Sequence, residues 1–259
     1  MVPNLGPADF IVREDNRTRE ILSVEPATAP MQVALLVDNS ARSSPNIRDI
    51  RDAANEFIKG MTSGVVRNEM VVVAVAERPT VLMDYTVDQP KLLAGAGRIF
   101  TQSNSGAYLL DGLLEISQGF KKREASRPVI VAISTNGPEL SNRYHDQIIS
   151  ALRGVNATFS VVMVGPAPTD VISSEGRERA LTLSQGTEAT GGRYDNVLAA
   201  SALAGRLKQV ANELTHQYLV TYARPDTLIP PERITITGKD TSLIVRGIPV
   251  SEKGSGRGR

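Results

Sequence analysis

An acid and three hydroxyls crowd into the stretch Asp38-Asn39-Ser40-Ala41-Arg42-Ser43-Ser44, with a guanidinium among them. Such a cluster of oxygens is the first functional clue in the chain when it falls at the end of a buried strand. Other candidate chemistries are thin. The chain has no cysteine, which excludes disulfides, thiolate catalysis and cysteine-ligated zinc. Its two histidines, His145 and His216, sit in no motif, and no Gly-x-Ser-x-Gly elbow or phosphate-binding loop occurs. Gly95-Ala96-Gly97-Arg98 half-matches a dinucleotide loop but falls within a predicted helix, with Phe100 where the third glycine belongs. The net charge of +1 provides no general pull toward nucleic acid or anionic membrane, and no apolar run is long enough for a membrane helix.

The acidic stretch must be positioned by what precedes it. Met31–Val37 is apolar throughout except for Gln32, too short for a helix and too continuous for a half-exposed strand, so it reads as a strand buried on both faces. Ligands of open α/β sheets bind at the carboxyl ends of such strands, where Asp38 falls. Met70–Ala76, Pro128–Ile133 and Thr158–Val164 are further strands of the same type. Thr80–Tyr85 follows its predecessor too closely for a parallel crossover and is expected as an antiparallel edge strand. Helical spacing marks Ile47–Gly60, a helix after Pro90, Leu109–Phe120, Ser141–Leu152 and Leu203–Leu214. Tyr218–Tyr222 reads as the closing strand, and Pro166–Gly192 as a surface excursion with a short helix near Arg177–Leu183. Strand and helix alternate as in a doubly wound, mostly parallel α/β sheet with right-handed crossovers.

The chain ends read differently. Phe10–Val12 with Ile21–Val24, and Ile234–Gly238 with Leu243–Arg246, are expected as two hairpins. The expected division is therefore an α/β domain over 30–223, a small discontinuous β module from 1–29 and 224–250, and a disordered tail over 251–259.

At Val37-Asp38-Asn39-Ser40 the chain resembles the von Willebrand factor A domain, a doubly wound fold that binds protein partners through a metal-ion-dependent adhesion site. The resemblance runs from about Met31 to Ala223. That site combines a D-x-S-x-S loop, a threonine in a T-x-T-G-like loop and an aspartate in a T-D-G turn; the matching stretches here are Asp38-Asn39-Ser40-Ala41-Arg42, Ser103-Asn104-Ser105-Gly106-Ala107 and Thr135-Asn136-Gly137. The implied ligands are Asp38, Ser40, Ser103 and Asn136. Leu5-Gly-Pro-Ala-Asp-Phe-Ile-Val-Arg-Glu-Asp, Thr190-Gly-Gly-Arg-Tyr and Leu214–Tyr222 further resemble a bacterial, acidobacterial-type branch of these domains. In that branch a signal peptide and more β sequence precede the lead-in, which implies an exported protein and an amino-terminally incomplete chain, although no signal peptide is present here.

Three positions depart from the pattern: Arg42 for the second serine, Ser103 for threonine and Asn136 for the second aspartate. A lost carboxylate and an added guanidinium both disfavour a cation. The resemblance therefore implies a degenerate site with weakly bound Mg²⁺ or Mn²⁺ or none. In one reading Arg42 pairs with Asp38 and stands in for the ion; in the other it points into solvent, and Ser43, Ser44 or Glu139 completes a weak site. The expected function is a non-enzymatic protein-interaction module that meets an acidic partner through Arg42, Ser43, Asn104, Ser105 and Glu139. The alternative is a structural scaffold in a larger exported bacterial protein, with a vestigial site.

Overall fold

The computed structural model describes residues 4–166, 173–224, 231 and 234–249. It divides into an α/β unit, 28–217, and a smaller unit built from 1–27 and 218–259. The expected tail, 251–259, lies outside the described residues.

The α/β unit is a six-stranded sheet. Its strands are β4 (Gln32–Val37), β5 (Glu69–Ala74), β6 (Thr80–Thr86), β7 (Pro128–Thr135), β8 (Thr158–Val164) and β9 (Tyr194–Val197), in the order β6-β5-β4-β7-β8-β9. All neighbours pair in parallel except β5 and β6, which are antiparallel as the short connection required. In β4, Val33, Leu35 and Val37 enter one core, while Ala34 and Leu36 enter the other. Helices cover both faces. On the first lie α1 (Ile47–Thr62), α2 (Gln89–Ala96) and α7 (Leu203–Thr215), which supply Phe57, Leu92 and Leu207; on the second lie α3 (Leu109–Lys122) and α4 (His145–Gly154), which supply Leu113 and Ile148. Both faces of the central strands are thus apolar, which is why they read as unbroken hydrophobic runs.

Of the segment expected as a surface excursion, 167–172 lie outside the described residues; the short helix expected within it is present but is packed rather than superficial, and longer, in three pieces. It comprises α5 (Ser174–Leu181), a π-helical turn over Thr182–Gly186, and α6 (Thr187–Ala189). Its buried positions are largely polar: Arg179, Thr182, Thr187 and Thr190 join Leu183 inside. The threonines satisfy themselves locally, Thr182 Oγ1 donating to Glu178 O at 2.8 Å, Thr187 Oγ1 to Leu183 O at 2.8 Å and Thr190 Oγ1 to Gly186 O at 2.7 Å. Such i−4 bonding lets a helix bury hydroxyls without an apolar stripe, so hydrophobic periodicity misses it. Beyond it, Gly192 runs against β8, where a Cβ would sit 1.7 Å from Phe159 O. Only glycine fits that approach.

In the smaller unit β1 (Phe10–Glu14) turns tightly into β2 (Arg17–Arg19) through Asp15 and Asn16, whose positive φ values of 45° and 67° suit a two-residue hairpin turn. Three expectations change here. Phe10–Val12 was expected to pair with Ile21–Val24, but β1 pairs with β2 across this turn. β3 (Ile21–Pro26) pairs antiparallel with β10 (Tyr218–Tyr222), so that segment does not close the main sheet; β9 already holds the edge beside β8. β11 (Ile234–Gly238) pairs with β1 rather than with Leu243–Arg246, which forms no strand. The turn after β11, held by Ser242 N donating to Asp240 Oδ1 at 2.8 Å, folds Leu243 back over Gly238. Glu14 is 2% exposed and gathers Arg19 Nε at 2.8 Å and Tyr222 Oη at 2.8 Å. Burial, together with that carboxylate, pushes the Tyr222 phenol up to about 12.

Candidate functional site at the carboxyl edge of the sheet

Asp38 leaves the end of β4 fully buried, its amide donating to Ile133 O at 2.8 Å. Its carboxylate is occupied from within the chain. Oδ1 accepts from Ser40 N at 2.9 Å, and Oδ2 accepts from Thr135 N at 3.0 Å and Thr135 Oγ1 at 2.6 Å. The next residue ties the neighbouring loops to this one: Asn39 Oδ1 accepts from Ala76 N at 3.0 Å, and its Nδ2 donates to Phe100 O at 2.8 Å. Its carbonyl accepts from Gln102 N at 2.8 Å. A buried asparagine with both ends used fixes three loops at one point.

Ser40 caps, and Ser43 lies within, the turn of 3₁₀ helix, Ala41–Asn46, that leads into α1. Ser43 Oγ donates to Ser40 O at 2.7 Å, and Ser40 Oγ is buried with no partner. Ser43 was expected to face a partner; it is fully buried and serves the turn instead. Ser103 was expected to supply the hydroxyl from the second loop, yet it is exposed, and Thr101 is the residue whose hydroxyl reaches in, 3.4 Å from Ser43 Oγ. Asn104, at a positive φ of 60°, and Ser105, whose Oγ donates to Gln102 O at 2.8 Å, shape the tip of that loop.

Arg42 does not pair with Asp38. Its Nε donates to Asn136 Oδ1 at 3.1 Å, so the two residues that depart most from the adhesion pattern touch each other. The arginine stem lies across Gly137, where a Cβ would be 2.8 Å from Arg42 Cβ. Only glycine at that position admits so close a side chain. Arg42 itself is exposed.

Glu139, expected on the partner surface, is 2% exposed. Its Oε1 accepts from Leu110 N at 3.4 Å and Ser141 N at 3.2 Å, while Oε2 has no partner. With Ser141 Oγ accepting from Asp111 N at 3.1 Å, the loop caps the start of α3, whose own N-cap residue, Tyr108, provides no side-chain bond. Burial pushes the Glu139 carboxyl up to about 7 against the opposing pull of Ser141 and Arg179. Asp111 is outside this buried group and pairs with Arg143 Nε at 2.6 Å. Around the rim, Leu140, 47% exposed, packs over Gly106, and Tyr144 is 70% exposed.

Three functional candidates escaped the sequence reading. Thr101 sits in the same polar loop as Ser103, and spacing alone does not separate the two hydroxyls. Thr135 was in plain view inside Thr135-Asn136-Gly137, where the neighbouring asparagine drew the attention. Arg179 lies on the polar-looking α5 and gave no signal. Among the described residues no group of three or more histidines, aspartates or glutamates is arranged to hold a metal ion.

A mostly parallel six-stranded sheet with one antiparallel edge strand, covered by helices on both faces and carrying its polar loops at the carboxyl edge, is the fold of von Willebrand factor A domains. The particular likenesses are distant. A von Willebrand factor type A protein from Catenulispora acidiphila is similar over 83% of this chain at 16% identity and a TM-score of 0.60, and the chain spans about half of that structure, 52%. The von Willebrand factor domain of the type V pili tip protein Mfa5 from Porphyromonas gingivalis matches 72% of this chain and 95% of its own, at 10% identity and a TM-score of 0.54. The SpRpn10 VWA domain matches 68% of this chain and 95% of its own, at 14% identity and a TM-score of 0.51. No family model matches the sequence, and no curated protein matches it. Among the described residues no helix is long and apolar enough to cross a membrane.

Proposed function

We propose that the carboxyl edge of the sheet is a protein-docking site that captures a partner carboxylate through Arg42, without a tightly held divalent ion and without catalysis. The observation that carries this reading is the Arg42–Asn136 contact at 3.1 Å. It places a guanidinium where the resemblance puts two ion ligands. A hard divalent ion needs several oxygen ligands, carboxylates among them. Both Asp38 oxygens already accept protein hydrogen bonds, Asn136 Oδ1 accepts from Arg42, and Ser40 Oγ is a buried hydroxyl oxygen without a partner. That donor set fits a tightly held ion poorly. Arg42 spends only Nε on Asn136 and makes no ion pair among the described residues, so its terminal amino groups remain available for a carboxylate. Exposed Leu140 and Tyr144 supply apolar contact on the same loop side. An extracytoplasmic location, and kinship with the acidobacterial-type branch, follow from the sequence resemblance and belong to this proposal.

The test is a pull-down with the full chain, wild type against Arg42→Ala, in magnesium and in EDTA. Partners retained in EDTA by the wild type should fall about tenfold or more with the variant, the loss expected for one charge-assisted contact. Equal retention by both proteins, or retention only with magnesium, refutes the proposal.

A further inference from the structure

Arg179 reaches from α5 to the underside of the site and is 3% exposed. Its Nη1 donates to Gly137 O at 2.6 Å, and its Nη2 donates to Ser134 Oγ at 2.7 Å and to Thr135 O. Nε has no partner, and no carboxylate of the described residues lies within ion-pair distance. A guanidinium buried among carbonyls and a hydroxyl alone is costly, and it persists where a negative charge lies close.

That charge is on the far side of the same residue. Asp38 Oδ2 accepts from the amide and the hydroxyl of Thr135, while Arg179 takes the carbonyl of Thr135. Thr135 is therefore clasped between a buried carboxylate and a buried guanidinium. Glu139, on the loop that follows, faces the same arginine, whose charge works against its raised pKa. Both buried acids of the site thus have this one cation close by.

We propose that Arg179 is the resident cation of this site: it compensates Asp38 from inside the protein, as a bound ion would from outside, and holds the Ser134–Gly137 turn rigid. Arg179 is a positioning residue. The turn it holds presents Asn136 to Arg42, so the inference rests on the docking reading for its purpose, though not for its test.

The test is a double-mutant cycle in urea unfolding of the full chain: wild type, Asp38→Asn, Arg179→Met and the double variant. Arg179→Met should raise the unfolding constant by about a hundredfold, the scale of leaving its buried carbonyl and hydroxyl acceptors unpaired. Neutralising Asp38 as well should recover about tenfold of that loss, because no uncompensated carboxylate then remains. Arg179→Lys, which keeps the charge, should stay within about tenfold of wild type. Loss of packing alone would make the double variant worse than either single one. If Arg179→Met does not fold, folding of the double variant supports the proposal, and failure of both overturns it. Additive effects also overturn it, and they leave the Arg42 pull-down result standing. Conversely, an Arg42→Ala protein that binds normally sinks the docking reading and leaves the cycle untouched.

Discussion

Glu139→Gln removes a buried carboxyl that titrates far from its ordinary value. In the folded chain burial raises it from 4.5 to about 7, against hydrogen bonds from Ser141 and the charge of Arg179. Below pH 4.5 both folded and unfolded chains carry the proton. Between 4.5 and 7 the unfolded chain has released it and the folded chain has not, so stability falls as pH rises, and above 7 the loss is complete. At 1.36 kcal/mol per pH unit, the separation corresponds to about 3 kcal/mol of stability present in acid and absent at pH 8. Glutamine keeps an oxygen for Leu110 N and Ser141 N but cannot ionise. Urea unfolding of the wild type and the variant at half-unit steps from pH 4 to 8 gives two curves whose difference isolates this group from every other. The variant should gain about 3 kcal/mol on the wild type across that range, most of it between 5 and 7. Parallel curves would falsify the assignment of a buried, proton-holding carboxyl.

Other outcomes follow from single contacts. Thr135→Val deletes the 2.6 Å bond to Asp38 and leaves Oδ2 with the amide alone, which should cost about 1.5–3 kcal/mol by chemical denaturation; a neutral result would mean that Asp38 has another donor. Gly192→Ala pushes a methyl into Phe159 O, which would lie 1.7 Å away, so β8 or β9 must shift; a drop in Tm of several degrees is expected, with loss of amide protection at Tyr194–Val197 in hydrogen exchange. Leu35→Ala, at the centre of β4 and fully buried, should cost about 2–5 kcal/mol in the same unfolding assay.

How much of this was legible depended on whether burial left a mark in residue type. β4, β5, β7 and β8 were readable because helices cover both their faces, so apolar residues fill most of each strand and the polar ones fall mainly at the ends, Ser160 excepted. The edge strand β6 was readable from the length of one connection. Tyr218–Tyr222 was misplaced because a half-buried alternating strand looks alike in either sheet, and its partner, Ile21–Pro26, lies far away at the other end of the sequence. The helix carrying Arg179 was read as surface because its inward side is threonine and arginine, residues that ordinarily mark the outside. In the site, Asp38 and Ser40 were found by their position after a buried strand. Arg42 was found too, but its contact was not, since Asn136 lies on a different loop and pairing across loops has no local signature.

The Arg42–Asn136 contact also sets the route by which an ion-binding version of this domain could be engineered. Asn136→Asp alone, the obvious first step, would place a full negative charge 3.1 Å from Arg42 Nε and turn a hydrogen bond with one charged partner into a salt bridge. The intended ligand would then be held more firmly by the arginine. Arg42→Ser alone frees Asn136 but adds no charge. The aspartate becomes free for an ion only once the arginine is gone, and Arg179 would still lie beneath both. A library built one substitution at a time therefore has an order, Arg42→Ser before Asn136→Asp, and the reverse order leads into the salt bridge.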